Sequence, residues 1–160
     1  MLTQKSSETS KARPTFLSIT ISILFRRLKM IFVDTSAFLA LMAVEDVYHL
    51  QAKECLQSIC EQGQDLHTNN YVLLESVALI QKRLGLLKVR EFLTNLLPLV
   101  EVHWIEEETH QDAVDYLIAA SRRNLSLVDC SAFQTMRRLG LDTAFTFDEH
   151  FRDEGFRVIP

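Results

Sequence analysis

The stretch MIFVDTSAFLALM, residues 30–42, changes character at Asp34. Ile31, Phe32 and Val33 form an unbroken apolar run, as in a strand covered on both faces. Ala37, Phe38, Leu39, Leu41 and Met42 then fall on one side of a helix. A buried strand running straight into a buried helix begins a parallel βα unit. The carboxylate at the seam needs a reason of its own, because an unpaired charge in such a place is costly.

Downstream the same alternation continues. The pattern predicts a second helix over 48–63, a short strand DLHTN (65–69) and a helix over 70–85 that closes on Gly85. LLKVREFLTNLLPLV (86–100) reads as a further helix broken near Pro98, and EVHWI (101–105) as a strand. A helix over 106–123 carries acids in its first turn, where the macrodipole favours them. Another, over 126–140, opens on Ser126 and closes on Gly140. TAFTFD (143–148) and FRVIP (156–160) complete the set as strands. Strands alternating with helices imply an α/β fold, a mainly parallel central sheet flanked by helices in three layers.

The chain has 160 residues, 48% hydrophobic and 24% charged, which suits one globular domain with a sizeable core. A net charge of −4 excludes a basic protein that coats nucleic acid. Three cysteines, at 55, 60 and 130, form neither an even disulfide set nor a CxxC pair, and point to a reducing cytoplasm. The histidines show no zinc-finger spacing, and the four glycines form no phosphate-cradling loop.

Residues 1–29 read as an N-terminal extension. The first thirteen are polar and patternless, as in a disordered segment. Leu17, Ile19, Ile21, Ile23 and Phe25 then alternate with polar residues, as in a strand. That run is too short for a bilayer, which needs about 20 residues, and RRLK follows where a signal-peptide cleavage site would lie. Met30 is therefore taken as the start of the compact domain, 30–160, with 1–29 an appendage or the product of a misassigned start.

Four acids stand out. Asp34 ends the first strand and Asp148 ends TAFTFD, which would bring both to the carboxyl edge of the sheet where ligands gather. Either could instead cap the turn or helix that follows. Glu75 lies in YVLLESVALI with apolar residues on both sides, and is either inward-looking or on a solvated stripe. Asp129 follows Ser126 by three residues, a capping-box pattern compatible with a second role. A pocket of carboxylates without thiolates suits a hard cation such as Mg²⁺ or Mn²⁺.

The segments FVDTSAF, NYVLLESVAL, LSLVDCSAF and FTFDEHF resemble the four acidic motifs of the PIN-domain ribonucleases, particularly the VapC-like toxins. Positions 34, 75, 129 and 148 follow that family's order, and the resemblance covers residues 30–160. It implies that Asp34, Glu75, Asp129 and Asp148 are both catalytic and metal-binding. Thr35 and Ser36 beside the first acid, and Thr146 before the last, would support them. It further implies an endonuclease that hydrolyses RNA with Mg²⁺ or Mn²⁺, an antitoxin protein as partner, and a homodimer without membrane attachment. The pairs Lys82–Arg83, Arg122–Arg123 and Arg137–Arg138 could hold phosphates or simply be solvated helix ends. His150, beside Asp148, reads as a neighbour of the site more than a ligand. Two other classes compete: a PIN fold that binds without cutting, and a haloacid-dehalogenase-type phosphatase. The phosphatase expects a second acid two residues after the first, where this chain has Ser36.

Overall fold

A computed structural model describes residues 30–160. The readings made for residues 1–29 lie outside the described residues. Five strands form one parallel sheet in the order β3-β2-β1-β4-β5: β1 (Met30–Val33), β2 (Asp65–Asn69), β3 (Val100–His103), β4 (Thr143–Phe145) and β5 (Arg157–Ile159). The helices are α1 (Thr35–Met42), α2 (His49–Glu61), α3 (Asn70–Leu84), α4 (Leu86–Glu91), α5 (Glu107–Ala120), α6 (Leu127–Leu139) and the short α7 (His150–Asp153).

The apolar run of β1 is central because it is covered on both faces. Ile31, Phe32 and Val33 are all within 2% of complete burial, and the strand is flanked in register by Ile31↔Leu66 on one side and Val33↔Phe145 on the other. Phe133 of α6 meets Phe151 edge-on at 5.0 Å between ring centres, and Phe151 stands 6.3 Å from Phe32. A second cluster has Phe38 of α1 edge-on to Phe92 at 5.2 Å. Strands added after β1 run outward through β2 and β3, and the chain then returns to the other side of β1 for β4 and β5. The order of connection thus reverses between β1 and β4. A crevice opens beyond the carboxyl ends of the strands at such a switch point.

Asn69, fully buried at the end of β2, joins three elements. Its side-chain oxygen accepts from the N–H groups of Tyr71 and Val72, capping α3 (3.0 and 2.9 Å). Its amide nitrogen donates to Thr135 Oγ1 and Ser131 Oγ of α6 (3.0 and 3.3 Å).

Three expectations need correction. TAFTFD is a strand only to Phe145, so Asp148 lies in the following loop and does not end β4. The ladder stops because Phe147 N donates to Ser36 Oγ and Asp148 N to Thr146 Oγ1, side chains in place of a neighbouring strand. The helix after Gly85 loosens before Pro98. From Phe92 to Leu96 it is a wider π-turn, with Leu97 N donating to Phe92 O, and a 3₁₀ turn spans Leu97–Leu99. Proline lacks the N–H that would close a regular turn onto Thr94. Finally α5 ends at Ala120, where Ser121 turns left-handed at φ 50°.

Asn69→Asp retains the cap acceptors, removes both donors to α6 and buries a charge. Urea unfolding should show a loss of at least about 2 kcal/mol. Stability equal to wild type would mean that only the cap matters at this position.

Candidate active site

The crevice at the switch point holds all four acids predicted from the sequence. A cavity of about 460 Å³ is lined by Asp34, Thr35, Ser36, Glu75, Asp129 and Asp148, together with Asp46, Tyr48, Arg83 and Phe147. Each acid comes from a different segment: the β1–α1 seam, the second turn of α3, the first turn of α6, and the loop after β4.

Asp34 is 5% exposed and caps α1. Its Oδ2 accepts from Ser36 N (3.1 Å), Ser36 Oγ (2.7 Å) and, across the switch point, Thr146 Oγ1 (3.0 Å). The cap reading of Asp34 therefore holds, and the same side chain also lines the cavity. Burial raises its pKa from the ordinary 3.8, and the bonds from Ser36 and Thr146 only partly oppose that rise. Glu75 is half-buried, and its Oε2 accepts from Thr35 Oγ1 at 2.7 Å. Thr35 thus ties the second acid to the residue beside the first. Asp129 completes a capping box: Ser126 Oγ accepts from Asp129 N (3.0 Å), and Asp129 Oδ2 accepts from Ser126 N (2.8 Å).

Asp148 is steadied by the loop itself. Its N–H donates to Thr146 Oγ1 (3.0 Å), and its Oδ1 accepts from His150 N (2.9 Å). His150 Nδ1 lies 2.9 Å from the same oxygen, without the alignment of a hydrogen bond. Asn124 Nδ2 donates to His150 Nε2 at 2.8 Å, so the ring proton of the neutral imidazole sits on Nδ1, facing Asp148. This tautomer steadies the carboxylate and offers the cavity no lone pair, in line with the sequence reading of His150.

The donor set fits a hard divalent cation. Asp34, Glu75, Asp129 and Asp148 all bring carboxylate oxygens to the one cavity, and an oxygen of Asp129 lies within 4.8 Å of an oxygen of Asp148. Oxygen ligands of this kind suit Mg²⁺ or Mn²⁺. Converging carboxylates repel one another until a positive charge lies between them.

The basic pairs separate. Arg83 lines the acid cavity. Arg122 pairs with Asp153 and Glu154, Arg137 with Glu154, and Arg138 with Asp112 and Glu108. These three are occupied by intramolecular partners, in keeping with the helix-end reading. The sequence reading missed Asp46 and Tyr48, which follow α1 in a turn without periodicity. Tyr48 stacks on Phe147 at 4.4 Å between ring centres and 19° between planes.

Comparison with known proteins gives the family. The family model described as PIN domain matches residues 31–156. The 23S rRNA-specific endonuclease VapC20 of Mycobacterium tuberculosis is 33% identical over 128 residues, covering 79% of this chain and 95% of the relative. The crystal structure of that VapC20, described as a Sarcin-Ricin loop cleaving toxin, superposes with a TM-score of 0.73 at 30% identity, covering 81% of this chain and 99% of the other. FitAcB from Neisseria gonorrhoeae matches at a TM-score of 0.61 with 16% identity, covering 82% and 97%, a likeness of fold alone. The chain belongs to the PIN-domain family.

The raised pKa of Asp34 has a consequence for stability. A carboxyl group that holds its proton more tightly when folded contributes stability that is full below pH 3.8 and is lost as pH rises through the folded pKa. In EDTA, ionising Asp34 as the pH rises therefore weighs against the fold. Asp34→Asn should abolish this part of the pH dependence and melt no lower than wild type at pH 7, in thermal scans from pH 4 to 8. A variant that melts lower across the whole range would make the carboxylate chiefly a structural cap.

Proposed function

We propose that this chain is a metal-dependent endoribonuclease that hydrolyses RNA phosphodiester bonds as the toxin of a type II toxin–antitoxin pair. The observation that carries the reading is the convergence of Asp34, Glu75, Asp129 and Asp148 on one cavity at the switch point of the sheet. Asp34, Glu75 and Asp129 would hold Mg²⁺ or Mn²⁺, and Asp148 would help position the ion or the attacking water. When bound, the cation supplies charge that acidifies water and polarises the scissile phosphate.

The chain's own groups do the rest by fixing positions. Ser36 and Thr146 lock the Asp34 carboxylate, Thr35 locks Glu75, and Ser126 and His150 hold Asp129 and Asp148. Lining the same cavity, Arg83 offers positive charge to a phosphate. Tyr48, 47% exposed and backed by Phe147, offers a flat face to an unstacked base. Single-stranded or looped RNA is therefore the substrate class.

The VapC20 relative supports both the RNA-cleaving and the toxin reading, and with it a cognate antitoxin as partner. A homodimer is supported by Leu86, Leu87, Leu93 and Leu99, all exposed along the segment that follows α3. A cytoplasmic setting is supported by three free cysteines, and among the described residues no helix is long and apolar enough to cross a membrane. The domain is taken as residues 30–160, with 1–29 an extension to it.

The purified chain should cut RNA with Mg²⁺ or Mn²⁺ and stop on addition of EDTA. Asp129→Asn should lower kcat by roughly 100-fold or more, and Tyr48→Ala should act mainly on KM. Cleavage indifferent to EDTA and to Asp129→Asn would overturn the proposal in favour of a fold that binds without cutting.

A further inference from the structure

A second group of metal-ligating side chains lies on the other arm of the sheet, apart from the acid cavity. His67 of β2 stands opposite Glu101 of β3 in the parallel register, and His103 follows two residues later, opposite Asn69. Alternation along a strand places Glu101 and His103 on one face, and pairing brings His67 to that same face. His67 Nδ1 lies 2.9 Å from His103 Nε2 and 3.7 Å from Glu101 Oε2, and the two rings stack at 5.2 Å between centres. One ligand atom from each of the three residues lies within 4.8 Å of the others.

We propose that His67, Glu101 and His103 form a binding site for a borderline transition-metal ion, Zn²⁺ in the first place, that fastens edge strand β3 to β2. Two ring nitrogens and a carboxylate oxygen converge here, and a cation would take the place of the proton that one nitrogen carries. When both rings are neutral, the proton at the contact serves one ring-to-ring bond, and the nearby carboxylate gains little from it. A single cation would be bound by all three at once. Two nitrogens bound about 2.0–2.1 Å from one tetrahedral ion stand roughly 3.3–3.4 Å apart, so the pair observed at 2.9 Å needs to open by only about 0.4–0.5 Å. Two imidazoles and one carboxylate form a set that zinc takes with a fourth position left for water.

The supports are rigid. His67 is buried within the β2–β3 ladder, while the Glu101 side chain is 68% exposed and leaves an entry path. His103 also lines a cavity of about 230 Å³ with Trp104, Thr135 and Arg138. Arg138, the cation on that wall, is neutralised by Asp112 at 2.7 Å and Glu108 at 3.5 Å. The imidazole-rich set separates this site from the carboxylate cavity in preference as well as position, since nitrogen ligands favour zinc over magnesium.

The test is Zn²⁺ titration of the full chain by calorimetry in excess Mg²⁺, with Co²⁺ absorption spectra as a second readout. Wild type should bind one Zn²⁺, melt higher with it, and give Co²⁺ ligand-field bands of nitrogen coordination. Glu101→Gln, at an exposed side chain, and His103→Gln should each weaken Zn²⁺ at least tenfold while leaving the melting temperature in EDTA near that of wild type. Asp129→Asn should leave Zn²⁺ binding intact, which keeps this outcome independent of the nuclease reading. Zn²⁺ bound equally well by Glu101→Gln and His103→Gln, or lost in Asp129→Asn, would overturn the proposal and leave the pair as a hydrogen bond between imidazoles.

Discussion

The carboxylate of Asp34 is buried where the order of strand connection reverses, and two hydroxyls from opposite sides of that switch point hold it. Ser36 belongs to α1, the helix that β1 feeds, while Thr146 follows β4. Each of these hydroxyls also accepts a backbone N–H from the loop carrying Asp148, at Phe147 and at Asp148 itself. The position of the fourth acid therefore depends on the first through two short chains of hydrogen bonds. Burial raises the pKa of Asp34, so the arrangement stores an electrostatic cost that a bound cation would relieve. Strain of this kind at a site, supported by the surrounding fold, is how stability is traded for function.

The other two acids are placed through Asn69. It caps α3, which carries Glu75, and its amide grips Ser131 and Thr135 of α6, which carries Asp129 in its first turn. One buried side chain thus sets the start of one helix against the flank of another. Thr35 closes the circuit by joining Glu75 to the β1–α1 seam. Asp34 anchors Asp148, Asn69 orients Glu75 and Asp129, and the cavity arises where these arrangements meet.

Much of this was readable beforehand where local signals were strong. The apolar run 31–33, the strand 65–69 and the helix ending at Gly85 each carry their own periodicity or cap, and the structure places them within a residue or two of the reading. The four acids were legible because a charged residue amid apolar neighbours needs a reason, and the motif order supplied one. What escaped detection depended on distant partners. β4 stops at Phe145 because side chains from position 36 and from its own loop take over the backbone donors, which no window around 143–148 reveals. Tyr48 meets Phe147 only after folding. The pairing of His67 with His103 depends on strand register, whereas spacing along the chain shows two unrelated histidines.

The central claim is that the four acids form one cation site at the switch point. Anomalous diffraction from crystals soaked in Mn²⁺ locates such an ion without reference to activity. A peak within bonding distance of Asp34 and at least one of Glu75, Asp129 and Asp148, absent from Asp34→Asn crystals treated alike, is the expected result. Saturating Mn²⁺ that leaves no peak in this cavity, or a peak that persists unchanged in Asp34→Asn, would contradict it.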